Sequence, residues 1–138
     1  MRAQTPPKGA NARQEVIDNM DDAFKTPGGE PLDITTGQAI KGSVGIDHLV
    51  PFEDIVQMDG FNQLTYAQQL RVLNHQPNFI PLNGPLNSAK LNRSLADWFR
   101  TPLGSTVPPA WRADLIARQA SARQSLRNLI DHLLGGGL

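Results

Sequence analysis

Between the pair Pro108-Pro109 and the run Gly135-Gly136-Gly137 the chain passes without a proline or a glycine. That stretch constrains the fold more than any other. Proline suits a first helical turn, where its missing N–H has no partner anyway, and glycine stops a helix. Within the stretch Trp111, Leu115, Ala122, Leu126, Leu129 and Leu133 recur at helical spacing. The pattern predicts a helix over about 108–134, with Thr106 as its cap, against which shorter elements must pack.

Upstream, prolines and glycines cut the chain into short pieces. Residues 1–10 hold two prolines and a glycine and read as a disordered lead-in or linker. Val16, Ile17, Met20 and Phe24 sit at helical spacing within 12–24, and TPGGEP at 26–31 breaks that helix. The next segment places Ile34 and Ile40 around a Thr-Gly turn and then runs through β-prone Val44, Ile46, Leu49 and Val50 to Pro51. It predicts a short hairpin or bulged ribbon. Residues 53–60 read as irregular or a single helical turn. Thr65 and Gln68 have the spacing of a capping box, opening a helix to about Asn74 with Leu64, Leu70 and Leu73 on its apolar side. Asn78–Leu82 reads as a short extended piece, and Asn83-Gly84-Pro85 opens a helix from about Leu86 to Phe99. The expected class is therefore α+β and mostly helical.

With 138 residues the chain suits a single domain, 11–138, burying roughly two-thirds of its unfolded surface. It has no cysteine, which excludes disulfide scaffolds, zinc ribbons, Fe–S sites and thiol nucleophiles. No apolar run approaches the ~20 residues that span a bilayer, and the N-terminus lacks the apolar core of a signal peptide. The net charge is zero but unevenly spread. Residues 1–84 carry 6 Lys+Arg against 10 Asp+Glu, and residues 85–138 carry 7 against 3, a balance of −4 followed by +4. The C-terminal half is the one suited to phosphates, although solvated helix faces have the same composition.

Three short motifs bear on chemistry. Asp47-His48 sets an oxygen ligand for a hard cation beside a base that titrates near neutrality. Neighbours on a strand point to opposite faces, so a twist or bulge is needed to bring both to one site. Taken alone, the dipeptide more often describes a solvated aspartate beside a half-buried histidine. Asn78 is a residue type that ties loops to backbone. Asn87 and Lys90 lie three apart near a helix start and share a face, which fits an amide ligand and a phosphate contact, or an ordinary polar helix entrance.

In this order the pieces Thr36-Gly37-Gln38-Ala39-Ile40, Ile46-Asp47-His48-Leu49-Val50-Pro51, Asn78-Phe79-Ile80-Pro81-Leu82 and Asn87-Ser88-Ala89-Lys90-Leu91-Asn92-Arg93 resemble the HNH (His-Me finger, ββα-metal) endonuclease family. The likeness is closest to members with Asp-His first and asparagine last, as in RNA-guided CRISPR effectors. NSAKLNRSLADW also resembles HNH domains of bacterial polymorphic toxins. The resemblance implies a ββα-metal core over about 33–98 with flanking helices. It implies His48 as general base, Asp47 and Asn87 as ligands of one divalent cation, and Asn78 as the residue that aims His48. It implies Lys90 as a catalytic cation that contacts the phosphate or stabilises the transition state, and Arg93 and Arg100 join it as the nucleic-acid-binding candidates. Oxygen ligands favour Mg²⁺ or Mn²⁺ over Zn²⁺ or Ni²⁺.

Thirty residues separate His48 from Asn78, longer than the family pattern, and the insert at roughly 52–77 carries its own helix. The expected activity is metal-dependent hydrolysis of DNA phosphodiesters by a bacterial effector toxin domain. Such a domain acts in the cytoplasm, is delivered from a secreted effector and meets an immunity protein. The alternatives are an RNase or structure-specific nickase of the same fold, a non-catalytic nucleic-acid-binding or interaction module, and a helical interaction domain whose motif match is accidental. The other histidines read as capping or surface residues, His75 at a helix end and His132 in the last turn of the long helix. Trp98 and Trp111 read as core anchors. Arg112, Arg118, Arg123 and Arg127 on the long helix are suited to tracking phosphates or to solvating it.

Overall fold

The structure, a computed structural model, describes residues 10–136, with side chains from Gln14 onward. Of the expected lead-in, 1–10, only Ala10 falls within that range. The described chain is α+β and mostly helical. In order it forms α1 (Ala10–Asp18), β1 (Val44–His48), α2 (Phe52–Val56), α3 (Tyr66–Leu73), β2 (Phe79–Asn83), α4 (Gly84–Lys90), α5 (Leu95–Arg100) and α6 (Pro109–Leu134), with short 3-10 turns between.

The two strands pair antiparallel, Val44 opposite Asn83 and His48 opposite Phe79. Residues directly opposite share a face, so Gly45, Asp47, Ile80 and Leu82 line one side. Ile80 and Leu82 are buried there with Leu86 of α4, Leu95 and Trp98 of α5, and Leu115 of α6. The other side carries Val44, Ile46 and Phe79, which pack on Val16, Ile17 and Met20. The ribbon is thus held between α1 and the α4–α5–α6 layer. A further cluster joins the C-terminal half of α6, through Ala122, Leu126, Ile130 and Leu133, to Ile55, Phe61, Leu64, Val72 and Leu73 of the 52–77 segment. Trp98 is fully buried, and Trp111 is half-buried, stacked on Phe24 with centroids 5.5 Å apart.

Several local expectations change. The hairpin expected before Pro51 is not one: β1 takes β2 as its partner, and residues 31–40 contribute only isolated bridges. The Asp33 carboxylate accepts from the Thr35 N–H (2.9 Å) and hydroxyl (2.6 Å), which curls that loop instead of extending it. The helix expected over 86–99 is two helices. It begins at Gly84 and stops at Lys90, Leu91 turns with φ 42°, and Ser94 starts α5 by accepting from the Asp97 N–H at 3.1 Å. The first helix ends at Asp18 because Asp21 accepts from the Ala23 N–H and starts a separate turn at Asp22–Phe24. Val16, Ile17, Met20 and Phe24 are nonetheless all buried. Thr106 does not cap α6: Pro108 precedes the helix without a side-chain cap, and the Thr106 hydroxyl donates to the Leu103 carbonyl. The Thr65–Gln68 capping box forms in full.

Candidate metal and nucleic-acid site

Strand β1 ends on Asp47 and His48, and β2 runs directly into α4, which crosses back over β1. The contact is close because residue 45 is glycine. A Cβ there would lie 2.5–2.8 Å from the amide nitrogen, carbonyl carbon and Cβ of Asn87. One turn further along α4, the Lys90 ammonium lies 3.2 Å from Asp47 Oδ2 and donates to the His48 carbonyl at 2.8 Å. Asp47, Asn87 and Lys90 therefore share the α4 face of the ribbon. The Asp47 side chain is 21% exposed and the Lys90 side chain 1%. Asp47 Oδ1 also accepts from the His48 backbone N–H at 2.7 Å. Lys90, expected to meet a phosphate, is directed inward.

Strand alternation puts the His48 ring on the opposite side. It packs on Phe79 and Phe52, with centroids 4.9 and 4.5 Å away. Its Nε2 is 3.1 Å from the Leu73 carbonyl oxygen. A carbonyl only accepts, so Nε2 carries the proton and Nδ1 holds the lone pair. Burial pushes this imidazole down to about pKa 4, against the Leu73 carbonyl and the Asp47 charge, which both raise it. The ring is neutral at physiological pH. Among the described residues, the buried side-chain atoms without a hydrogen-bond partner are Asn74 Oδ1, Trp98 Nε1 and Arg127 Nε, and His48 Nδ1 is not one of them.

Asn78 is fully buried. Its Oδ1 accepts from the Val50 N–H at 2.8 Å, its Nδ2 donates to the Val50 carbonyl at 3.0 Å, and its own carbonyl accepts from the Leu49 N–H at 2.9 Å. Three bonds fix the two residues that follow His48 onto the start of β2. The loop-tying chemistry expected of this asparagine is what its side chain performs.

The Asp47 carboxylate and the Asn87 side chain thus stand on one face, residue types that could offer a carboxylate and an amide oxygen to a hard cation, and the space for Asn87 exists because Gly45 lacks a Cβ. The donor set fits Mg²⁺ or Mn²⁺ completed by water or substrate oxygens. Among the described residues no group of three or more His, Cys, Asp or Glu converges as a metal site. Sequence reasoning missed Gly45 and the Leu73 carbonyl. The first had a signal, since a glycine inside a strand marks close approach of another element; a backbone carbonyl has none.

The basic residues divide. Arg93 and Arg100 are exposed; Arg93 donates to the Ala89 carbonyl at 2.6 Å, and Arg100 lies 3.5 Å from Asp97. On α6, Arg112 donates to the Val107 and Ser105 carbonyls, Arg118 pairs with Asp21 and Asp114, Arg123 with Asp54, and Arg127 donates to the Asp59 carbonyl. Through these contacts the four fasten α6 to α2 and to the loops around it. His75 Nε2 lies 2.6 Å from Ser125 Oγ of α6, and His132 is exposed in the last turn of α6. Among the described residues no helix is long and apolar enough to cross a membrane. Compared with family models, curated proteins and solved structures, the chain matches none of them.

Proposed function

We propose that the chain is a metal-dependent endonuclease of ββα-metal type that hydrolyses phosphodiester bonds, with DNA as the favoured substrate. One observation carries the reading. An antiparallel strand pair followed without a gap by a helix sets Asp47 and Asn87 on one face, while Asn78 clamps the chain just beyond His48. In this reading Asp47 and Asn87 hold the cation, which supplies charge neutralisation at the scissile phosphate and the leaving oxygen. His48, neutral and with its Nε2–H donating a hydrogen bond to the Leu73 carbonyl, offers Nδ1 to the attacking water. Because His48 and Asp47 leave β1 on opposite faces, the phosphate must sit at the strand's end, within reach of both. Arg93 and Arg100 are the exposed cations nearest in sequence to α4 and are the candidate backbone contacts. The effector-toxin setting and an immunity partner rest on the sequence resemblance.

A second reading has its own observation. His48 is only 4% exposed and sits between two phenylalanine rings, as a structural histidine would. That reading makes the chain a non-catalytic nucleic-acid-binding or interaction module. Incubation of the protein with plasmid DNA and with RNA, in Mg²⁺ and in EDTA, separates the two. The nuclease reading expects cleavage in Mg²⁺ alone, abolished ~10²–10⁴-fold by His48→Ala. Intact DNA and RNA in Mg²⁺, or equal cleavage by the variant, refutes it.

A further inference from the structure

The Lys90 ammonium is the best-buried charge among the described residues that face the candidate cation site. Its side chain is 1% exposed, with Asp47 Oδ2 at 3.2 Å and the His48 carbonyl at 2.8 Å. Buried in this way it cannot extend to a substrate phosphate without unpacking α4 from β1. What it does in place is electrostatic. Asp47 contributes one negative charge, Lys90 one positive charge and Asn87 none, so the face sums to zero before any cation arrives. A divalent ion placed on Asp47 meets a fixed like charge on the same carboxylate, in a partly buried setting where Coulomb interactions are screened less than in water.

We propose that Lys90 is a built-in counter-charge that keeps the Asp47–Asn87 cation site weak until a phosphodiester supplies the missing negative charge. Cation and nucleic-acid backbone then bind together, and the free protein holds little metal. The proposal rests on the cation-site reading above and makes Lys90 a positioning residue. It holds the Asp47 carboxylate and the end of β1 in place and sets when metal is captured.

The test is Mn²⁺ binding followed by titration calorimetry. The free protein is compared with the protein bound to a short DNA duplex carrying phosphorothioate linkages, which keep the backbone charge and resist cleavage. The wild-type chain should bind Mn²⁺ at least about tenfold more tightly with the duplex than without it, as expected when one uncompensated charge is added near the ion. Lys90→Met, and Lys90→Gln, which still offers a donor to the His48 carbonyl, should show that gain without the duplex and add little when it is present. Thermal melts report whether each variant is folded, and the wild-type comparison needs neither. Adding Asp47→Asn to Lys90→Met should abolish the gain, which places it at this carboxylate. Equal Mn²⁺ affinity with and without duplex, or in wild type and both folded variants, overturns the role of Lys90 and leaves a metal site standing. Absence of Mn²⁺ binding in every sample removes the metal site itself, and the endonuclease reading falls with it.

Discussion

The buried imidazole of His48 ties stability to pH with a sign and a size. In the unfolded chain its pKa is 6.5, and in the fold it is about 4 because burial disfavours the charged ring. The unfolded state therefore takes up the proton first. Stability from this group is complete above pH 6.5, declines as pH falls, and is lost once pH passes about 4. Each unit of difference corresponds to ~1.4 kcal/mol, so the full loss is ~3 kcal/mol, of which ~2 kcal/mol is gone by about pH 5. Burial of His75 lowers its pKa too and adds to the loss in the same direction, so the wild-type profile alone does not isolate His48. His48→Gln does. Glutamine offers an N–H to the Leu73 carbonyl and has no proton to gain. Urea unfolding of both proteins at about pH 7.5 and 5, with EDTA to exclude metal, gives two stability losses. The loss in His48→Gln should be smaller by ~2 kcal/mol, with unchanged denaturant slopes. Parallel losses would mean the ring is not buried and neutral as the structure has it, and the reasoning about its tautomer would go too.

Two further expectations concern neighbours of the site. Asn78→Ala leaves the N–H and carbonyl of fully buried Val50 without partners; at ~1–3 kcal/mol for each such group, urea unfolding should show a loss of ~2–6 kcal/mol, and a loss under half a kcal/mol would show the clamp to be dispensable. Gly45→Ala drives a methyl group against the Asn87 side chain; overpacking of this kind costs ~1–3 kcal/mol, and Mg²⁺-dependent cleavage should fall further than stability does, whereas full cleavage by a folded Gly45→Ala would show that Asn87 needs no fixed position.

The parts of this fold that were legible in sequence are those decided locally. The Thr65–Gln68 box and the uninterrupted run of α6 depend on neighbours within a turn, and both are present. The ribbon was legible by half. Val44–His48 has strand character, but its partner lies 30 residues on and contains Pro81, a residue that lacks a ladder donor. The apolar contacts of both ribbon faces, Ile80 and Leu82 against α4 to α6 and Phe79 with Ile46 against Val16, Ile17 and Met20, favour that pairing over the nearer Ile34–Ile40 segment. The break at Leu91 had a signal of a kind: Ser94 three residues before Asp97 has the spacing of a helix start. It was outweighed by an apolar pattern that continues across it. At the site, the residue types at 47, 48, 78 and 87 were readable. The inward turn of Lys90 was not, because it depends on how closely α4 lies on β1.

Adjacent residues on a strand cannot share a face, so a site that uses both Asp47 and His48 has to fix each from its own side. The α4 side does this with Lys90, which reaches the Asp47 carboxylate and the His48 carbonyl at once. The other side does it with the Leu73 carbonyl and the rings of Phe52 and Phe79 around the imidazole. Leu73 closes α3 and Phe52 opens α2, so two of those three contacts come from the long insert between His48 and Asn78. The insert is itself anchored, since Ile55, Phe61, Leu64, Val72 and Leu73 pack on the C-terminal half of α6. The 52–77 segment therefore has a physical task. It carries the acceptor that fixes the His48 tautomer, and α6 keeps that acceptor in place.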